Sequence, residues 1–263
     1  MIETLHYQII KNEEKEQKER IVFLNPLGAS SDVWNLYMHT LKDDFEILLI
    51  DYPGFKNTYF YQTTSIQELT SLVNNTIKKL DDKPLHIIGY SLGGFVAQNL
   101  VMNSNLNIKT LTLIGSSKKV YNQGKYLIGE WKKILNTMGL EAFLKQLALW
   151  SFHTKAFELN PHTLRSFVIS TIKGCNDKRV YENQLDLIKN YDTGINLKDI
   201  HVPTLIICGE YDNLYPRFCS REMSSDIGCS KFIEVSNVGH AVPWESPRMV
   251  LKEIDRFVKV NNL

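Results

Sequence analysis

The sequence predicts an α/β protein: a mostly parallel central sheet flanked by helices, with an all-helical insertion between two of its strands. Three observations carry that expectation. Short runs rich in β-branched and aliphatic residues alternate along the chain with longer segments of helical periodicity. Most of the short runs are continuously apolar, as strands covered on both faces are. One stretch, from about Lys118 to Thr193, holds helical patterns and no convincing strand. The chain has 263 residues, 43% hydrophobic and 22% charged, enough apolar material for a substantial core.

The elements follow in order. The first two strands are read at Thr4–Ile10 and Arg20–Asn25. Between them the charge run Lys11–Arg20, centred on Glu13-Glu14-Lys15-Glu16, reads as a solvated hairpin turn joining the two. Glu46–Asp51 is the third strand. Ser65-Ile66-Gln67-Glu68 is a capping box, its serine hydroxyl placed to accept the N–H three residues on, and it opens a helix that ends near Leu80. Strand Leu85–Gly89 runs into a helix from Ser91 that turns Phe95, Val96, Leu100 and Val101 inward, and Thr110–Gly115 is the next strand. The following stretch contains four helical patterns, punctuated by Gly139, Asn160-Pro161, Gly174-Cys175-Asn176-Asp177 and Asp192-Thr193-Gly194. Strands Thr204–Gly209 and Lys231–Val235 restore the rhythm, and a helix from about Ser246 to Val260 closes it, with Pro247 in its first turn. The expected organisation is a core of residues 1–117 and 194–263 with a helical cap, residues 118–193, inserted into it.

Composition excludes several functions. Thirty basic against twenty-nine acidic residues leave a net charge of +1, which gives no pull toward nucleic-acid phosphates. No apolar run approaches the roughly 20 residues of a bilayer span, and Met1-Ile2-Glu3-Thr4 does not begin a signal peptide. Four cysteines, Cys175, Cys208, Cys219 and Cys229, are too few and too irregular for a disulfide scaffold, so a cytoplasmic protein with reduced thiols is expected. His6, His39, His86, His153, His162 and His201 lack metal-ligand spacing, and no glycine-rich nucleotide loop is present. Neither metal nor cofactor is expected.

The chemistry concentrates in three places. Gly89-Tyr90-Ser91-Leu92-Gly93 sits between an apolar strand and a helix, the setting in which a serine hydroxyl is held out on a sharp turn as a nucleophile. Gly89 and Gly93 clear space around that turn, and Gly94 lets the helix lie near the sheet. A hydroxyl is a weak nucleophile and needs a base, which needs a group to orient it. Asp212, in Gly209-Glu210-Tyr211-Asp212-Asn213-Leu214-Tyr215-Pro216, and His240, in Asn237-Val238-Gly239-His240, each follow a buried strand. Serine, acid and histidine in this order is what successive strand ends feeding one site produce. The bland alternatives are a helix-capping Ser91, a turn-forming Asp212 and a structural His240.

These motifs make the sequence resemble the α/β-hydrolase superfamily over nearly its whole length. Asp51-Tyr52-Pro53-Gly54-Phe55 is similar to that family's Asp-x-Pro-Gly-x loop, and Glu245-Ser246-Pro247 follows Gly239-His240 as it does in members. The resemblance implies a helical-capped serine hydrolase with Ser91, Asp212 and His240 as its triad. It also implies an oxyanion hole from the backbone N–H groups of Leu92 and Leu27. Asn25-Pro26-Leu27-Gly28 departs from the His-Gly start usual for that loop and is similar to the loop of enol-lactone hydrolases; Lys56-Asn57 stands where another glycine is usual.

The reaction implied is attack of Ser91 on a carbonyl, release of an alcohol, thiol or enol protonated by His240, and hydrolysis of the acyl-enzyme by water. The substrate would be a small acyl compound, free or carrier-bound, with a carboxylic ester or lactone first. Thioester hydrolysis or acyl transfer, carbon–carbon bond hydrolysis and a cofactor-free peroxidase-like reaction are alternatives within the fold. A ligand receptor is disfavoured because all three side chains are present. Aromatic residues of the insertion (Tyr121, Tyr126, Trp131, Phe143, Trp150, Phe152, Phe157, Phe167) read as packing or as pocket wall, with Trp131 and Trp150, together with Ser116 after its strand, as the pocket candidates.

Overall fold

A computed structural model describes residues 4–192 and 196–261. Seven strands form one sheet: β1 (His6–Ile10), β2 (Arg20–Leu24), β3 (Glu46–Asp51), β4 (Leu85–Tyr90), β5 (Ile108–Ile114), β6 (Thr204–Gly209) and β7 (Ser230–Val235). Their order is β1-β3-β2-β4-β5-β6-β7. β1 is antiparallel to β3, and every other pairing is parallel.

The strands are apolar on both faces because both faces are covered. In β2, Val22 and Leu24 join one hydrophobic cluster while Ile21 and Phe23 join the other, following the two-residue alternation of a strand. The first cluster is completed by α2 (after helix α1, Asn35–Leu41; α2 is Ile66–Ile77) and α3 (Leu92–Asn103), through Leu69, Val73, Phe95 and Val96. Tyr37 and Leu41 of α1 pack on the second. The capping box forms as expected: Ser65 Oγ accepts the Glu68 N–H at 3.1 Å, while the Glu68 carboxylate reaches back to the Thr64 N–H at 2.7 Å.

Between β5 and β6 lie α4 (Asn122–Thr137), α5 (Leu140–Ser151), α6 (Thr154–Leu159), α7 (Thr163–Gly174) and α8 (Lys178–Lys189). Among the described residues there are five α-helices here instead of the four patterns expected, since six-residue α6, set off by Asn160-Pro161, is too short to show a period. An isolated antiparallel bridge between Lys119 and Asp192 draws the two ends of this segment together. The expected boundary at Thr193 and Gly194 lies outside the described residues. The chain then continues through β6, α9 (Arg217–Asp226), β7, the one-turn α10 (Val242–Glu245) and α11 (Pro247–Val260), whose Val250, Ile254 and Val258 cover the second face. Among the described residues no helix is long and apolar enough to cross a membrane.

The charge run is not a hairpin turn. β3 stands between β1 and β2, so Lys11–Glu19 crosses over it, and the run is not wholly solvated: Gln17 and Arg20 are buried. Arg20 pairs with Glu46 and Asp81, and Lys83 joins Glu46 at 2.9 Å, so the charges below the sheet compensate one another.

His86 is buried beside this network. Its ring nitrogens meet Thr110 Oγ1 at 2.9 Å and Glu19 Oε2 at 2.8 Å, with Phe45 edge-on. Burial pushes the imidazole below its ordinary value, against the opposing pull of Glu19. The unfolded chain therefore takes up a proton near the ordinary pKa of about 6.5 while the folded one resists it. This contribution to stability is full above that pH and declines as pH falls toward the lower folded value. Urea unfolding of wild type and His86→Gln at pH 7.5 and pH 5.5 checks it: wild type should lose more stability between the two pH values than the variant does, and equal losses would remove His86 from the acid response.

Candidate active site

Each of the three predicted side chains stands just beyond the C-terminal end of a parallel strand. Ser91 follows β4 with φ of +53°, a conformation non-glycine residues rarely adopt, and is the N-cap of α3 with no side-chain capping bond. The turn is tight enough to need its glycine: a Cβ on Gly93 would lie 2.1 Å from Leu24 O. The Ser91 hydroxyl is therefore not spent on the helix. It lies 3.0 Å from His240 Nε2.

His240, on the loop after β7, turns its Nδ1 to Asp212 Oδ2 at 2.8 Å. A carboxylate accepts, so Nδ1 carries the proton and Nε2 is left to accept from the serine. The other Asp212 oxygen accepts the N–H groups of Leu214 and Tyr215 at 2.9 and 2.8 Å, which fixes the carboxylate after β6. All three residues are buried. Tyr90 and Tyr215 flank the imidazole with ring centroids 5.3 and 5.5 Å away, and the Tyr90 hydroxyl donates to His240 O at 3.0 Å. Burial and the Asp212 charge push both phenols well above their ordinary value, so the histidine faces neutral rings.

Leu92 is the first residue of α3, so its N–H belongs to the turn that has no intrahelical acceptor. Leu27 borders the cavity at Ser91. Its loop is held on several sides. Asn25 donates to Ile50 O and accepts from Trp34 Nε1, both at 2.9 Å, while the Gly28 N–H donates to Gln184 Oε1 of α8 at 2.8 Å. Farther along, Asp51 Oδ1 accepts the Ser31 N–H at 2.7 Å. Lys56 turns to Ser31 and Asp32, each at 2.9 Å.

The cavity encloses about 60 Å³ and is bordered by Ser91, His240, Tyr90 and Tyr215 on the sheet side. Leu127, Ile128 and Trp131 of α4, Leu147 of α5, and Leu185 and Ile188 of α8 close it from the insertion. Trp131 is thus at the cavity. Trp150 packs half-buried against the main hydrophobic cluster, and Ser116 lies under Gly94 with its hydroxyl 3.4 Å from Ser91 O; neither borders the cavity. The aliphatic wall was not singled out in the sequence, although Gly124, Leu127, Ile128 and Trp131 mark a helical stripe that signals it. A second, larger space of about 1010 Å³ lies outside and shares Leu27, Phe167 and Trp244 with the first. Among the described residues no group of three or more His, Cys, Asp or Glu is placed to hold a metal ion.

The histidine loop is fastened to the insertion. The Ala241 N–H donates to Ser151 O at 2.9 Å. Glu245 accepts the Gly239 N–H at 2.9 Å with one oxygen and the His153 N–H at 3.0 Å with the other. The approach is close: a Cβ on Gly239 would lie 2.6 Å from Ser151 O. Burial pushes the Glu245 carboxyl above its ordinary value, and the two backbone donors oppose that shift.

A profile of the family described as alpha/beta hydrolase fold matches residues 19–247. The chain is 24% identical over 253 residues to 3-oxoadipate enol-lactonase 1 of Acinetobacter baylyi, spanning 93% of this chain and 90% of that one. It is 25% identical over 203 residues to a pimeloyl-[acyl-carrier protein] methyl ester esterase of Salmonella heidelberg, spanning 75% and 77%. The structure of MenH from S. aureus superposes with a TM-score of 0.85 at 23% identity, covering 98% of this chain and 99% of the other. The chain belongs to the α/β-hydrolase-fold family and is an enzyme of the hydrolase class.

Replacing Glu245 with Gln leaves one accepting oxygen and turns an NH2 group toward a backbone N–H. Glu245→Gln should destabilise the protein by about 1–3 kcal/mol, the cost of a buried donor left unmatched, and lower turnover by loosening the histidine loop. Thermal unfolding and ester hydrolysis measure both; wild-type values for each would mean that the bridge holds nothing.

Proposed function

We propose that the protein cleaves carboxylic esters or lactones through an acyl-enzyme on Ser91. The hydrogen-bonded chain from Ser91 Oγ through His240 to Asp212, with links of 3.0 and 2.8 Å, is the observation that supports this reading most. His240 takes the hydroxyl proton as Ser91 attacks the carbonyl carbon, and Asp212 stabilises the resulting imidazolium. The N–H groups of Leu92 and Leu27 hold the oxyanion. His240 then protonates the departing alcohol or enol oxygen. A water deprotonated by the same histidine attacks the acyl carbon, releasing the acid and restoring Ser91.

The names of two relatives, an enol-lactonase and a methyl ester esterase, favour oxygen esters over thioesters. Residues 118–193 serve as the cap, supplying α4, α5 and α8 as the apolar wall that receives the acyl group. The partner is a small acyl substrate. Four unpaired thiols fit a reducing, cytoplasmic setting.

Turnover of a short p-nitrophenyl ester by Ser91→Ala should fall by about 10⁴-fold or more, and intact-protein mass after rapid quench of wild type should carry one acyl group on Ser91. A Ser91→Ala enzyme as fast as wild type ends this reading.

A further inference from the structure

We propose that Gln184 of α8 is a positioning residue for the reaction: by holding the Gly28 N–H it keeps the neighbouring Leu27 N–H directed at the oxyanion. This rests on the acyl-enzyme reading above, with Leu27 as an oxyanion donor, and adds to it the group that keeps that donor in place. The Gly28 N–H donates to Gln184 Oε1 at 2.8 Å, and both residues are buried. The Leu27 N–H, one residue earlier, meets no acceptor among the described residues. Of two successive backbone donors on this loop, the protein occupies one and leaves the other unspent. An oxyanion donor has to be unspent in the resting enzyme, and its direction has to be set before charge develops.

The loop is clamped on both sides of Leu27. Before it, Asn25 is bonded to Ile50 O and Trp34 Nε1, and the ring of Pro26 locks its own φ. After it, Gly28 stands at φ of +72°, and a Cβ there would lie 2.8 Å from Tyr181 Cε1. Tyr181 precedes Gln184 by one turn of α8, on the same face, and its hydroxyl donates to Cys175 O at 2.7 Å. Packing by Tyr181 limits how far Gly28 moves, and the bond to Gln184 sets which way its peptide faces. Only the two dihedrals of Leu27 separate its N–H from that peptide, so releasing the Gly28 N–H frees one end of the frame that holds the donor. The step affected is the attack. Ser91 Oγ bonds to the carbonyl carbon, the serine proton passes to His240, and the carbonyl π pair becomes the oxyanion. Substrate binding, with the oxygen still a neutral carbonyl, draws less on the donor.

The test uses Gln184→Met, which keeps the length of the side chain and removes the acceptor, with p-nitrophenyl butyrate as substrate. Two inhibitors accompany it: butyl trifluoromethyl ketone, to which Ser91 adds to give a tetrahedral oxyanion, and butyl methyl ketone, which stays a ketone. In the variant kcat should fall by about tenfold, less than the 10²–10³-fold of losing a donor itself, with KM nearly unchanged. The Ki of the trifluoromethyl ketone should rise by about the factor that kcat/KM loses, and the Ki of the methyl ketone should not move. A purely structural Gln184 would weaken both ketones alike or neither, and either result overturns the proposal. Amide hydrogen exchange of wild type needs no variant and decides alone should Gln184→Met fail to fold. The Gly28 amide should be protected in the free enzyme and unaltered by the trifluoromethyl ketone, whereas the Leu27 amide should gain protection in the adduct. A Gly28 amide that is open until the adduct forms, or no gain at Leu27, overturns the proposal. Full activity of Ser91→Ala, or no adduct in wild type, sinks the acyl-enzyme reading, while an adduct as tight in Gln184→Met as in wild type sinks only the role of Gln184.

Discussion

The hydrogen-bonded line from Asp212 through His240 to Ser91 spans the ends of three parallel strands, and it closes only if their register holds. β4 and β6 are separated by β5, and β7 lies beyond β6, so the line crosses most of one half of the sheet. A shift of one residue in any strand would move its end by about 3.3 Å and reverse which face each side chain meets. Links of 3.0 and 2.8 Å leave no room for that. The continuous apolar runs in these strands fill both cores.

Register alone does not hold the loops that leave the strands. Two of those loops are fastened to the helical insertion by backbone groups. The loop after β2 gives the Gly28 N–H to Gln184, and the loop after β7 gives the Ala241 N–H to Ser151, with Glu245 bridging Gly239 and His153. Backbone donors at these points cannot be removed by side-chain substitution, and leaving them unpaired in a buried setting is unfavourable. Displacement of α5 or α8 therefore strains the histidine loop or the Leu27 loop directly. The insertion is as much a part of the site's scaffold as the sheet is.

The sequence was legible where its signals were local. Strand boundaries fell within a residue or two because the buried runs are bounded by polar or glycine residues, and Ser91, Asp212 and His240 could be singled out because each sits beside a strand end. What failed was non-local. Lys11–Arg20 looks like a turn between adjacent strands, yet the pairing of Ile9 with Leu48 and Ile10 with Ile47 places β3 in between, which no local pattern records. Arg20 reads as surface until its partners Glu46 and Asp81, far along the chain, are seen beneath the sheet. Trp131 and Trp150 look alike as aromatics in the insertion, but the packing of α4 against α8 puts only the first at the cavity.

The cavity at Ser91 and the larger space that shares three residues with it differ in a way that bears on how a substrate is held. The inner one, about 60 Å³, is small beside the several hundred Å³ typical of ligand sites, and the outer one, about 1010 Å³, is of full size. Leu27, Phe167 and Trp244 border both. Phe152, Phe167 and Trp244 touch one another with centroids 5.6 to 6.4 Å apart, an apolar partition without a hydrogen bond across it. Rings packed this way are held by contact area and shape and yield without breaking a directional bond. The loops of the site are tied by backbone hydrogen bonds, whereas Phe167 and Trp244, which border both spaces, meet each other and Phe152 through ring contacts.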